Sequence, residues 1–440
     1  MANIIGFFQT ILPFLFVLGV LIFVHELGHF LVARWYGVKV LAFSLGFGPK
    51  LIKVTRGDTE YCISIIPLGG YVKLAGETAE DKPSGDPTEF LSKSKWIRFQ
   101  VYLAGPVMNI LLALILTTVV LSQGADVPLY RSSAPVIGSV KADGPGARAG
   151  LLPGDRVMRV NDTTVNTWDD FDMAVLPKSG RQLTLAVQRG GSFLDLAVTP
   201  DAVGDFEFGD LGVEPLHRPV IREVVPDQPA ARAGLQVGDV LLAVAGEPRL
   251  SREQVIERIQ KSPGRPLVIT VERGGVAQDL TVTPEPSGDI GLIGVGIWPY
   301  ETKRVDPTLL TAMSMSATQT FEGAQVIGTT LAGLFTRETP VNQLVGPVGI
   351  AKMSGTTAQL GWIPLLALMS MISLNLGLLN LMPIPVLDGG HIAILAMEGL
   401  ARRDFSMKVK ERILMVGFAL ILMLMVTVIF NDVARLFRLR

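Results

Sequence analysis

The tightest constraint on this chain is a set of long stretches that carry no formal charge. No Asp, Glu, Lys or Arg occurs from Ala2 to Val24, from Phe99 to Ala125, or from Ile413 to Asn431. The longest uncharged run lies between Lys352 and Asp388, but Pro364, Pro383 and Pro385 bar a single straight helix there. A helix from about Trp362 to Asn380 followed by extended chain is the expected form. Because about 20 apolar residues cross a bilayer core, four transmembrane spans are predicted, within 1–36, 99–125, 353–392 and 413–434. An apolar content of 49% over 440 residues agrees. The 39 basic and 40 acidic residues leave a net charge of −1, with no global field to attract nucleic acid. Cys62, the single cysteine, cannot form an intrachain disulfide and reads as a packing residue. No basic segment precedes the first apolar run and no small-residue cleavage pattern follows it, so a removable signal peptide is not expected.

Between the second and third spans lies a polar region that repeats itself. Ala149-Gly-Leu-Leu-Pro-Gly-Asp155 returns as Ala233-Gly-Leu-Gln-Val-Gly-Asp239, an offset of 84. Arg189-Gly-Gly191 and Val198-Thr-Pro200 return at the same offset, as Arg273-Gly-Gly275 and Val282-Thr-Pro284. One module is therefore present twice, over 126–204 and 213–290. Leu183–Val187 and Leu267–Val271 alternate as half-buried strands ended by Gly-Gly turns, and Ser251 to Lys261 reads as a capped amphipathic helix. The repeated pattern resembles PDZ domains of the bacterial protease-associated type, which bind extended peptide beside an open strand edge. A pair of inert spacers stays open as the alternative. The predicted class is a four-span α-helical membrane protein with two extracytoplasmic PDZ-like α+β domains and a membrane-associated β element over 37–98.

Basic residues near the spans set an orientation. Arg34 to Arg98 contains ten Lys and Arg, whereas Met1 to Val24 contains none. That places the amino terminus outside, the 37–98 loop in the cytoplasm and the modules outside again. The 393–412 loop, with Arg402, Arg403, Lys408 and Lys410, agrees; Arg435, Arg438 and Arg440 run against it. Residues 305–352 are expected to form an amphipathic or membrane-associated linker.

Two of the four histidines form His25-Glu-Leu-Gly-His29 within the first span. Positions i and i+4 of a helix share a face, so both imidazoles can reach one cation. Buried ionisable groups are costly in a span, which favours zinc over a pair of satisfied core histidines. A catalytic zinc takes a third protein ligand. Asp388, which ends the uncharged run in Asn380-Leu-Met-Pro-Ile-Pro-Val-Leu-Asp-Gly-Gly390, is the candidate, with His391 a lesser rival. At helical rise His29 lies ~7 Å from the inner membrane edge, the end at which topology also places Asp388. Zinc at such a site lowers the pKa of water to about 7 and polarises a carbonyl, and Glu26 is the natural general base. Spans enclosing such a site must admit water.

With these residues in view, the chain resembles the site-2 protease family of intramembrane metalloproteases. The resemblance rests on the His-Glu-x-x-His helix, Ile66-Pro-Leu-Gly-Gly-Tyr-Val-Lys73, Gly105-Pro-Val-Met-Asn109, the tandem modules, Gly346-Pro-Val-Gly349 and the Asp-Gly-Gly element. It implies a Zn2+ enzyme of the bacterial inner membrane, with His25, His29 and Asp388 as ligands and Glu26 as base. It further implies cleavage of single-span proteins after a first extracytoplasmic cut by another protease, typically of an anti-sigma factor, and of remnant signal peptides. A transmembrane substrate must be unwound and held extended before it can be cut. Strands within Leu41–Val54 and Glu60–Leu68 are expected near the site, with Gly46 and Gly48 allowing close backbone approach or forming a plain turn. Asn380 is placed to hydrogen-bond substrate from the other side or to make an interhelical bond, and Pro383 and Pro385 beyond it are expected, with Gly46 and Gly48, to contact substrate. Asn109 carries the same ambiguity and is read as structural.

Two other classes compete. A membrane-anchored peptide-binding scaffold would need no metal residues, which here are intact. A transporter would be expected to show repeated spans, whereas the repeat lies in the polar region.

Overall fold

The computed structural model describes residues 2–77, 85–204, 207–336 and 344–438. Residues 337–343 of the expected linker, and Arg440, lie outside them. The chain divides into two compact units.

The first unit carries the apolar helices. In chain order it comprises helix α1 (Ala2–Trp35), strands β1 (Val40–Arg56) and β2 (Thr59–Leu74), and helices α2 (Lys95–Ser122), α3 (Leu309–Phe335), α4 (Pro347–Gln359), α5 (Trp362–Asn380), α6 (Asp388–Leu400) and α7 (Met407–Arg438). Four helical segments are long and apolar enough to cross a membrane: Phe8–Trp35, Lys95–Ser122, Trp362–Asn380 and Lys408–Ala434.

Small residues bring the helices together where lipid supplies no hydrophobic drive. A Cβ on Gly28 of α1 would stand 2.5 Å from the Ala104 carbonyl of α2, and one on Gly377 of α5 would stand 2.9 Å from the Pro106 carbonyl. Hydroxyls use the same proximity: Ser370 donates to Ala113 O at 2.9 Å and Ser373 to Asn109 O at 2.7 Å. Val17, Leu21, Leu365, Leu366 and Met369 fill the gap between α1 and α5. The Gly346-Pro-Val-Gly349 motif proves to be the start of α4. Its Gly346 and Gly349 amides, which have no partner inside the helix, donate to Asp432 of α7 at 3.2 and 2.9 Å. A buried intramembrane carboxylate is thus satisfied by a helix terminus.

The β element is more folded than two simple strands. Residues 42–45 of β1 pair on one side with Glu60–Ile63 and on the other with Gly70–Lys73, while Ile52–Arg56 pair with Thr59–Ile63. The ribbon therefore doubles back, with the Gly70–Leu74 segment at one edge. Gly46 and Gly48 sit where β1 bends, at φ +88° and +85°, and a Cβ on Gly46 would come within 2.7 Å of the Ile66 carbonyl. Their close approach is to their own sheet.

The second unit, Ala125–Val305, holds the repeat. Each copy buries about a dozen apolar side chains around its own core, Val157, Leu185 and Val187 in the first and Leu241, Ile269 and Val271 in the second. At ~1.5–3 kcal/mol per buried side chain, each core is a sizeable contribution. The paired sequence motifs have one physical basis. Asp155, in the Gly-Asp of the first copy, accepts two 2.7 Å bonds from Arg189 of the Arg-Gly-Gly turn and one of 2.8 Å from the Leu152 amide. Asp239 accepts the same three, from Arg273 and Gln236. Burial alone would raise the Asp155 carboxyl, but these donors hold it below its ordinary value. Two boundaries differ from expectation. Strand Val213–Pro215 pairs back with Ile137–Val140, so the first copy runs past 204 and takes the segment assigned above to the second. Likewise Val295–Trp298, beyond 290, pairs with Val220–Val224. Such closing strands are claimed by long-range pairing that local alternation does not reveal.

Candidate metal centre

Three elements deliver the site. Helix α1 carries His25, Glu26 and His29; α2 crosses it at Gly105; and α6 begins with Asp388. Placing two rings between packed helices requires space, and Gly105 provides it: a Cβ there would lie 2.3 Å from His29 Nε2 and 2.8 Å from His25 Cε1. Pro106 follows, removing one amide from the helical ladder and loosening that turn. From it the Val101 carbonyl accepts a 2.8 Å bond from His29 Nδ1. A carbonyl only accepts, so the proton sits on Nδ1 and the Nε2 lone pair is free.

Asp388 is placed by a loop that folds onto its own helix. A Cβ on Gly389 would stand 2.3 Å from the Leu381 carbonyl, and one on Gly390 2.2 Å from the Ile384 carbonyl. Pro383 and Pro385 stiffen the loop, and between them and Asp388 the β-branched Val386 is held at φ +87°, a conformation that costs ~1–3 kcal/mol. Gly417 of α7 packs against Pro385. The carboxylate is thus fixed from several sides.

The three candidate ligands converge. His25 Nε2 and His29 Nε2 are 3.2 Å apart, His25 Nε2 is 3.1 Å from Asp388 Oδ2, and His29 Nε2 is 3.5 Å from Asp388 Oδ1. A tetrahedral zinc with arms of about 2.0–2.1 Å has edges of about 3.3–3.4 Å, so the donor spacing fits that ion. Among the described residues this is the grouping of three or more His, Cys, Asp or Glu side chains whose ligand atoms lie within 4.8 Å of one another. Both histidines are 9% exposed. His391 is turned elsewhere, its ring stacked on Tyr102 with centroids 4.7 Å apart.

Glu26 follows His25 on α1 and packs against the edge of the β ribbon, where a Cβ on Gly70 would stand 3.1 Å from Glu26 Cγ and 2.9 Å from the Ser44 carbonyl. The strand edge beside the histidine helix is therefore Gly70–Leu74; Gly46 and Gly48 lie in the bend of β1. The side chain of Asn380, half-buried at the end of α5, makes no hydrogen bond among the described residues, and so no interhelical one.

Asn109, read from the sequence as structural, lies beside the candidate ligands. Fully buried, it places its amide Nδ2 3.2 Å from His25 Nδ1. Its distance of four residues from Gly105 puts both on one face of α2, the signal that could have found it.

A histidine pair and a carboxylate at zinc spacing, set among helices apolar enough to span a bilayer and with a glutamate adjoining, define a membrane-embedded metallohydrolase. The family model for Peptidase family M50 matches residues 13–424. The regulator of sigma-E protease RseP of Escherichia coli K12 is 35% identical, covering 98% of this chain and 100% of that protein. The protein of the same name from Salmonella typhimurium strain 14028s is 36% identical over 96% and 98%, and protease RseP of Yersinia pestis 34% identical over 97% and 99%. Among solved structures, the PDZ domain of an SdrC-like protein from Listeria innocua covers 19% of the chain at 19% identity and a TM-score of 0.18. The chain belongs to peptidase family M50, and it is a zinc metalloprotease of the site-2 type.

Proposed function

We propose that this chain cleaves transmembrane segments of single-span membrane proteins in regulated intramembrane proteolysis, with His25, His29 and Asp388 holding zinc and Glu26 serving as general base. The observation that carries this reading is the zinc-sized spacing of the three donors beside Glu26 within the apolar helices. A zinc ion held there supplies Lewis-acid polarisation of the scissile carbonyl and an acidified water. Glu26 takes a proton from the attacking water and passes it to the leaving amine. The Gly70–Leu74 edge, paired on one side with β1, offers backbone groups to an extended substrate, and the free amide of Asn380 suits the opposite side. By analogy with the sigma-E regulators, the substrates are an anti-sigma factor already trimmed outside by another protease, and remnant signal peptides.

Asn109 belongs to this reading as a positioning residue. If His25 Nε2 binds the metal, His25 Nδ1 bears the proton and needs an acceptor. The structure sets Asn109 Nδ2 against the ring and leaves its buried Oδ1 without a partner; turning the amide over supplies the acceptor and satisfies that oxygen. Asn109→Ala is therefore expected to weaken zinc binding by roughly 10–100-fold, measured by competition with a chelator. Unchanged affinity would remove Asn109 from the site.

The distribution of basic residues supports an active site toward the cytoplasm and modules in the periplasm of an inner-membrane protein. The modules then act on entry: a large outer domain must pass them, and a trimmed stub need not. The strands Ala125–Pro128 and Thr302–Val305 pair with one another, and the Leu129 amide bonds Glu301 O at 3.0 Å. Residues 129–301 can therefore be replaced by a short flexible linker, whereas a cut at 132–286 would divide the strand Glu285–Ser287 and leave Ile290–Leu292 and Val295–Trp298 behind. The deletion is expected to permit cleavage of untrimmed substrates while trimmed ones are cut as before, at matched levels of inserted protein. Loss of cleavage of both forms alike would identify recruitment instead of filtering. The central test expresses the chain with candidate single-span proteins, intact and trimmed outside, against a Glu26→Gln control.

A further inference from the structure

The two modules share a fold but differ in one groove. In the first, a cleft of about 280 Å3 lies between the helix Trp168–Val175 and the chain from Phe208 to Val213. Its walls include Phe171, Val175, Leu176 and Phe208, and two carboxylates, Asp172 and Asp210, also line it. The corresponding groove of the second module can be located from backbone contacts. A Cβ on Gly209 would meet the Val175 carbonyl at 2.6 Å, as one on Gly291 would meet the Ile259 carbonyl at 2.8 Å. The Gly146 amide donates to Leu211 O as the Ala230 amide donates to Ile293 O. Asp172 thus corresponds to Ile256 and Asp210 to Leu292, so both acids are replaced by aliphatic side chains in the sister groove.

The cleft has a strand edge to offer. Val213–Pro215 pairs with Ile137–Val140 and with no other described strand. Gly212 O and the Leu216 amide bond on the side of that partner, to Lys141 N and Val136 O. Alternation turns the Val213 amide and carbonyl and the Pro215 carbonyl toward the open side, where an extended segment can add. One end of the groove is already engaged: Asp210 Oδ1 accepts the Gly212 amide at 2.8 Å. A chain-terminal carboxylate arriving there would meet a carboxylate in place of a free amide. Asp172 is held among apolar walls. Burial pushes its carboxyl up to about 6, with Asp169 adding to the shift and Arg131, which stands 3.7 Å from Asp169, opposing it.

We propose that the groove of the first module docks an extended, internal peptide segment bearing a lysine or arginine side chain, which pairs with Asp172 and Asp210 while apolar neighbours rest on Leu176 and Phe208. A cation set among apolar walls gains more from such a pair than one in open water. This goes beyond the proteolytic reading, and its test reads no cleavage, so either can fail without the other.

The test uses the purified full chain as Glu26→Gln, so that no peptide is consumed, and fluorescent octapeptides of alternating Val and Thr. One carries a central lysine with both ends capped, a second has glutamine in its place, and a third is the glutamine peptide with a free carboxyl terminus. Fluorescence anisotropy is expected to show the lysine peptide bound at least about tenfold more tightly than either other peptide. Asp172→Ile with Asp210→Leu, which copies the second module, should abolish that preference. Asp172→Asn, which preserves side-chain shape, should reduce it. Equal binding of the lysine and glutamine peptides, tighter binding of the free-carboxylate peptide, or an undiminished lysine preference in Asp172→Asn would each overturn the proposal.

Discussion

Replacing Glu26 with glutamine is expected to lower cleavage by at least ~100-fold while zinc content stays near one ion per chain. Glutamine keeps the length and planarity of the side chain, so the contact with Gly70 that seats Glu26 against the β ribbon is preserved. What disappears is the ability to take a proton. The proposed metal donors are untouched, since His25, His29 and Asp388 meet one another without Glu26. Metal analysis of the purified variant, beside cleavage of a single-span reporter, separates base from ligand. Loss of zinc with loss of cleavage would make Glu26 structural, and retained cleavage would sink the mechanism.

The parts of this protein that were legible in sequence share a short-range signature. Uncharged runs report spans because bilayer thickness sets their length, and His25 and His29 report a shared face because helical spacing does. The repeat at offset 84 was visible because Asp155 and Arg189 must recur together if each copy is to keep its buried ion pair. Contacts between elements distant in sequence were not legible. The four-residue spacing puts Asn109 on the Gly105 face of α2, but that this face meets His25 depends on α2 crossing α1 at Gly28 and Gly105. The glycines at 46 and 48 signal either a close approach or a plain turn, and only the doubling back of the ribbon sets them against Ile66 within the same sheet. Asp432, just past the uncharged run that ends at Asn431, caps a helix through the amide of Gly346, 86 residues earlier. Each of these is a tertiary fact superimposed on a correct local pattern.

The second large effect concerns the third ligand. Asp388→Asn is expected to lower zinc affinity and cleavage together, whereas His391→Ala should leave zinc bound. Asp388 reaches both histidines with different oxygens, at 3.1 Å from His25 and 3.5 Å from His29, while His391 stacks on Tyr102. Asparagine has the same shape, so the loop around Val386 and the close packing of Gly389 and Gly390 have no reason to move. The change is then one of charge: an anionic oxygen donor becomes a neutral amide, and the ion loses its single negatively charged ligand among the three. Equilibrium dialysis against a zinc buffer gives the affinity independently of activity. Zinc retained by Asp388→Asn and lost by His391→Ala would transfer the ligand to His391, and would require its ring to leave Tyr102 before the metal is bound.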